Sequence, residues 1–134
     1  MKVYTSYFGN SAKLSKAGVM VIGITLYPPK WFYGPNLREV APTPQIFAMS
    51  NAPDEVYNPR FRREVLGKVN PQEFYEKLKQ LGHGKDVALC CYEKPDDKCH
   101  RFLVAEWLEQ NLGIEVPEFG VSKNPKYTQA DLFG

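Results

Sequence analysis

The chain has 134 residues, 43% hydrophobic and 13% aromatic, the make-up of one globular domain rather than a disordered segment. Its 17 basic and 15 acidic side chains leave a net charge of +2, too little for a general polyanion-binding surface. No run of about 18 apolar residues offers a membrane-spanning helix, and the Met1-Lys2-Val3-Tyr4 start lacks a signal peptide's apolar stretch. Three cysteines, two adjacent, do not make a disulfide framework, so a cytoplasmic protein with reduced thiols is expected.

Val3 to Phe8 reads as the first strand, enriched in Tyr and Thr, and Gly9-Asn10 ends it. If that strand is central and parallel, Ser6, Tyr7 and Asn10 emerge at the carboxyl edge, where open α/β sheets bind ligands. Ser11 to Ala17 predicts a short helix stopped by Gly18, and Val19 to Ile24 a second buried strand. Tyr27 to Pro44 is a rigid irregular loop rich in Pro and aromatics, among them Trp31, Phe32 and Tyr33. Such a loop can lie over a ligand crevice, with Trp31 stacking on a planar group such as a base. The competing reading has Trp31 and Phe32 plug the core.

Gln45 to Ser50 predicts a helix. Asp54 to Leu66 predicts another, with Tyr57, Phe61 and Val65 at helical spacing and Pro59 interrupting it. Arg60, Arg62 and Arg63 beside them face either a phosphate or, more commonly for such a cluster, solvent. Asn70-Pro71-Gln72-Glu73 is a helix start with Asn as cap, Pro in the first position and Glu closing a capping box. Phe74, Leu78 and Leu81 form its apolar stripe, Gly82 ends it, and the helix crosses over to the next strand. His83, between two glycines, reads as a loop histidine.

Val87 to Tyr92 is a continuous apolar run, as in a strand buried on both faces of a parallel sheet. Pro95-Asp96-Asp97 breaks it, Asp96 or Asp97 caps a helix, and the apolar stripe Phe102, Leu103, Leu108, Leu112 runs to Gly113. This places Cys99, His100 and Arg101 in the helix's first turn, beside the carboxyl end of the strand, where free N–H groups attract anions. Tyr92 and Glu93 leave the strand into the same crevice. Ile114 to Val116 reads as a last short strand, and three breakers, Pro117, Gly120 and Pro125, follow it.

The run Leu89-Cys-Cys-Tyr-Glu-Lys-Pro with Cys99-His-Arg-Phe-Leu-Val-Ala-Glu106 resembles the signature of the domain of unknown function 488 family: an apolar strand ending in Cys and Glu-Lys, then Cys-His-Arg opening a helix. Val3 to Phe8 and Pro28 to Pro42 resemble one branch of it, so the likeness covers nearly the whole chain. The wider family often has Asp-Val-Arg after its second strand. Here the strand runs Val21-Ile-Gly-Ile-Thr25, so no role of that Asp or Arg carries over. The resemblance implies a Rossmann-like fold and a site around Cys99-His100-Arg101.

Four chemistries compete at that site. It binds an anion on a nucleotide-like ligand, with Glu93 as general acid or base for cleavage or transfer at a glycosidic or phosphoester centre. Or Cys99 is a nucleophile, its thiolate favoured by the helix start, His100 and Arg101; the phosphatase spacing of Cys, five residues, Arg is absent. Zinc on Cys91, Cys99 and His100 is the third and is not expected. Cys90 and Cys91 point to opposite faces of a strand, and Cys99 and His100 lie about a hundred degrees apart on a helix. In the fourth, Cys99 packs, Arg101 pairs with Glu93 or Asp97, and the site is inert; Cys90 reads as core.

Gln129-Ala130-Asp131-Leu132-Phe133 resembles the pentapeptide by which bacterial polymerases and repair proteins dock on the DNA sliding clamp. Leu132 and Phe133 would fill an apolar pocket, Gln129 would bond at its rim, and Asp131 matches the motif's acidic position. Alternatively the two apolar residues latch onto their own domain. The expectation is one Rossmann-like three-layer α/β domain over residues 1–116, with a mostly parallel sheet, and an extended tail over 117–134. Its expected function is an enzyme or ligand-binding domain for a nucleotide or nucleic-acid-related substrate. The alternative is a non-enzymatic module of DNA metabolism recruited by the sliding clamp.

Overall fold

A computed structural model of the chain describes residues 1–92 and 99–121. Three parallel strands, β1 (Val3–Tyr7), β2 (Val19–Gly23) and β3 (Asp86–Cys91), form a sheet in the order β1-β3-β2. β3 is central, with Val3 opposite Val87 and Tyr7 opposite Cys91 on one side, and Ile22 opposite Leu89 on the other. The helices are α1 (Ser11–Lys16), α2 (Pro44–Ala48), α3 (Asp54–Glu64), α4 (Pro71–Gly82) and α5 (Arg101–Leu112).

Strand alternation divides the core in two. Val3, Ile22, Ile24, Val87 and Leu89 point to the face covered by α2 through α5, where they meet Ile46, Phe61, Leu78 and Leu108. Val19, Ala88 and Cys90 point to the other face, where Phe8 and Leu14 of α1 join Phe32 of the aromatic loop. Helices therefore cover both faces of a parallel sheet, the Rossmann-like three-layer α/β arrangement the alternating pattern predicts. Among the described residues, no helix is long and apolar enough to cross a membrane.

Local chemistry sets the element ends. Asn70 Oδ1 accepts the Glu73 N–H at 3.0 Å, and Thr43 Oγ1 accepts the Ile46 N–H at 3.2 Å, so α4 and α2 each start on a capped turn with Pro in the first position. α5 stops at Gly113, whose φ of 67° suits a residue without Cβ. Two expected ends differ. β1 closes at Tyr7, and Phe8 to Asn10 form a 3-10 turn. Ile114 to Val116 form no strand, because the Val116 N–H goes to the Glu109 carboxylate at 2.8 Å. Instead, residues 117–119 run parallel to β1: Thr5 N–H donates to Pro117 C=O and Phe119 N–H to Thr5 C=O, both at 2.9 Å. The packed domain thus continues past the boundary expected at Val116, and Phe119 packs edge-on against Tyr4.

Candidate functional site

At the carboxyl edge of β2 and β3 a cleft of about 210 Å³ opens between α2, α3 and the start of α5. Its walls are the rings of Phe47, Tyr57 and Tyr92, with Pro42 and Leu103. Its polar groups come from Thr25, Ser50, Asn58, Cys99 and His100. The sheet dictates the place: parallel strands deliver their carboxyl ends to one edge, and the crossovers leave a crevice there. Thr25 is held by Asn36, whose side-chain amide donates to Thr25 C=O at 2.8 Å and accepts its N–H at 3.2 Å. Tyr92 donates its hydroxyl hydrogen to Tyr27 C=O at 2.5 Å, so the aromatic loop fixes that wall.

His100 is the best-defined group in the cleft. Its Nε2 stands 2.5 Å from the Ile24 carbonyl oxygen. A carbonyl only accepts, so Nε2 carries the hydrogen and Nδ1 keeps a lone pair, 3.8 Å from Cys99 Sγ. Burial pushes the imidazole's pKa down to about 4, and the neighbouring Arg101 charge lowers it further, against the opposing pull of the Ile24 bond. The ring is therefore neutral at neutral pH. Phe61 packs against it with ring centroids 5.6 Å apart.

The helix starts later than the sequence implies. α5 begins at Arg101, with His100 at its cap position and Cys99 in the preceding coil. The first-turn placement of Cys99 and His100 is thereby corrected, and with it the argument that a helical angle keeps them apart. Cys91 Sγ, Cys99 Sγ and a ring nitrogen of His100 converge within 4.8 Å of one another. The two sulfurs are bonded as a disulfide, with Cα atoms 7.6 Å apart. This differs from the expectation of unpaired thiols, because the end of β3 and the approach to α5 meet across the same edge.

Arg101 also departs from its expected role. It is fully buried rather than open to a ligand. Its Nε and Nη2 donate to the two carboxylate oxygens of Glu118 at 3.1 and 3.0 Å, and its Nη1 donates to Cys91 Sγ at 3.0 Å. Glu118 is equally buried and accepts a third bond from Thr5 Oγ1 at 2.6 Å. Arg101 thus ties β3, β1 and the chain after α5 together and positions Cys91. The one signal for Glu118 in the sequence is a lone carboxylate in the apolar stretch Val116-Pro-Glu-Phe119.

Of the expected ligand contacts, Tyr92 lines this cleft. Ser6 is buried and accepts the Asn10 amide at 3.2 Å, on the α1 face with Cys90, and Tyr7 is half-buried at the end of β1. Trp31 is 56% exposed, sits edge-on to Phe8 and Phe32 on the same face, and does not line the cleft. The arginine cluster is salt-bridged at the surface: Arg60 to Glu64 at 2.6 Å and Arg62 to Glu106 at 3.2 Å. Glu93 and the segment Gln129, Asp131, Leu132, Phe133 lie outside the described residues. Nothing in the sequence marks Phe47, Ser50, Tyr57 and Asn58 as ligand contacts, since only the packing of α2 against α3 brings them to the edge.

A family model described as DUF488-N3a, the active DUF488-N3 subclade, matches residues 10–112. No curated protein and no solved structure matches the chain.

Proposed function

The chain belongs to the DUF488-N3a family, and we propose that it is an enzyme whose cleft takes a nucleobase-sized ring, as a nucleotide or as a base in nucleic acid. The observation that carries this reading is the cleft's lining: three aromatic rings around a space flanked by Asn58, Ser50 and Thr25. Flat rings stack on aromatic walls, and an amide offers both a donor and an acceptor to a base edge. At about 210 Å³ the cleft is smaller than the ~300–1,000 Å³ usual for drug-sized ligands, which suits one ring system better than a dinucleotide. The family's description as an active subclade supports the enzymatic reading.

In this reading neutral His100 presents Nδ1 as an acceptor, and the start of α5, which reaches the cleft through His100 and Leu103, favours an anionic group. Glu93, next in the chain after Tyr92, serves as general acid or base for a hydrolysis or transfer at the glycosidic or phosphoester centre. The test is a panel of bases, nucleosides and nucleotides followed by ligand-observed NMR. One member should bind, and Phe47→Ala or Asn58→Ala should weaken it about tenfold or more. Binding by none of them refutes the reading. With a ligand in hand, Glu93→Gln should abolish turnover and leave binding.

The alternative, a non-enzymatic clamp-recruited module, rests on the sequence Gln129-Ala-Asp-Leu-Phe133. It predicts that deleting residues 129–133 abolishes association with a bacterial sliding clamp while Glu93→Gln leaves it intact. Association that survives the deletion removes it.

A further inference from the structure

We propose that Cys91, Cys99 and His100, in the reduced protein, form a three-ligand site for a zinc-class divalent ion, with its fourth position toward the cleft. This goes beyond the identity of the cleft's ligand and stands whether or not that ligand is a nucleobase. Three features carry it. The first is convergence: two sulfurs and an imidazole nitrogen gather within 4.8 Å, from the end of β3 and the two residues before α5. Two thiolates and an imidazole select soft or borderline ions such as Zn²⁺ or Co²⁺ over Mg²⁺ or Ca²⁺.

The second is orientation. The Ile24 carbonyl holds Nε2–H and so leaves Nδ1 unprotonated beside Cys99 Sγ, the outer-shell arrangement that fixes metal-binding histidines. Nδ1 is 3.8 Å from Cys99 Sγ. Tetrahedral bonds of about 2.3 Å to sulfur and about 2.05 Å to nitrogen would set that separation near 3.6 Å. The third is spacing. Two zinc-bound sulfurs stand about 3.8 Å apart, farther than two disulfide sulfurs, so their Cα atoms also stand farther apart. The observed 7.6 Å between the Cα atoms of Cys91 and Cys99 lies beyond the ~4.4–6.8 Å usual for a disulfide. Arg101 Nη1, 3.0 Å from Cys91 Sγ, adds a charged donor to that thiolate.

The disulfide and the metal exclude each other, and the exchange balances. A dithiol reductant gives two electrons and two protons to the Cys91–Cys99 bond and is itself oxidised to a disulfide. The two thiols then lose one proton each to solvent as they bind the divalent ion. Cys99 and His100 both line the cleft whereas Cys91 is buried, so the remaining position opens on the cleft, where a water or a ligand oxygen completes the tetrahedron.

The experiment is anaerobic titration of the reduced, full-length chain with Co²⁺ and then Zn²⁺, needing no cleft ligand. The expected result is one equivalent of cobalt with the intense visible bands and sulfur charge-transfer absorption of a tetrahedral thiolate site. Cobalt binding should release two protons per ion, and zinc should then displace it and bleach these bands without further proton release. Cys99→Ser and His100→Gln should each weaken cobalt binding by more than about a hundredfold, since losing even outer-shell partners costs ~10–100-fold. Reduced wild-type protein that keeps its circular dichroism and gives no such bands overturns the proposal. So do bands that persist in both Cys91→Ser and Cys99→Ser. Failure of the nucleobase panel has no bearing on either readout.

Discussion

Cys90 and Cys91 are chemically identical neighbours with opposite surroundings, and strand alternation alone makes the difference. Cys91 turns to the α5 face, where it meets Arg101 and Cys99. Cys90 turns to the α1 face, fully buried among Phe8, Leu14 and Ala88. Burial pushes its thiol pKa up to about 12, with the Arg101 charge pulling the other way and Glu118 adding to the rise. In the unfolded chain it ionises near 9. The folded state holds the proton longer, so the thiol's contribution to stability is complete below about pH 9 and fades as pH rises toward about 12. Urea denaturation of wild type and Cys90→Ala between pH 8 and 11 should show the difference between the two shifting against the wild type as pH rises. A difference constant across that range would mean Cys90 ionises as freely in the fold as out of it.

At the scale of elements, the sequence was most legible where one stretch determines its own structure. The Asn70 cap and Pro71 start of α4 lie in consecutive residues and form as expected, and the central position of β3 follows from its unbroken apolar run. What was not legible depends on pairs distant in sequence. Nothing local to Cys99-His100-Arg101 says that its arginine is satisfied by a carboxylate 17 residues later, or that Ile24, 76 residues earlier, orients its histidine. The helix start shifted for a similar reason: Leu103 N–H and Val104 N–H both bond His100 C=O, which makes His100 the cap and leaves Cys99 free to approach Cys91. Gly23 is another such case. It reads as an ordinary strand residue, yet a Cβ there would drive into Asn36 Oδ1. Asn36 cannot yield without losing both bonds to Thr25 at the cleft edge. Gly23→Ala should therefore cost about 1–3 kcal/mol, as overpacking does, with Thr25 displaced. The cost should shrink in the Gly23→Ala/Asn36→Ala pair relative to Asn36→Ala alone. Chemical denaturation of the four variants closes the cycle, and strict additivity would deny the contact.

For the whole molecule the decisive interaction is the buried triad of Arg101, Glu118 and Thr5. It joins the central strand's end, the edge strand β1 and the chain leaving α5 into one unit, and every charge in it depends on a partner from another element. The breakers Pro117, Gly120 and Pro125 place the expected domain end at Val116, whereas the triad needs Glu118. A chain ending at Val121 keeps the triad, the Thr5 backbone bonds and the Tyr4–Phe119 contact. One ending at Val116 loses all of them and leaves the Arg101 guanidinium buried without its carboxylate. Breaking one side of a buried pair costs about 3–5 kcal/mol, a large share of the ~5–15 kcal/mol that holds a domain together. The shorter chain should thus be less stable than the longer by at least that amount in a urea titration, or fail to fold. The orphaned charge is separable from the lost packing: Arg101→Met in the shorter chain should recover part of the deficit, since an apolar side chain of similar length needs no partner. Equal stability of the two truncations would reduce Glu118 to a bystander. A deficit that Arg101→Met leaves untouched would assign it to packing and backbone pairing along β1 rather than to charge.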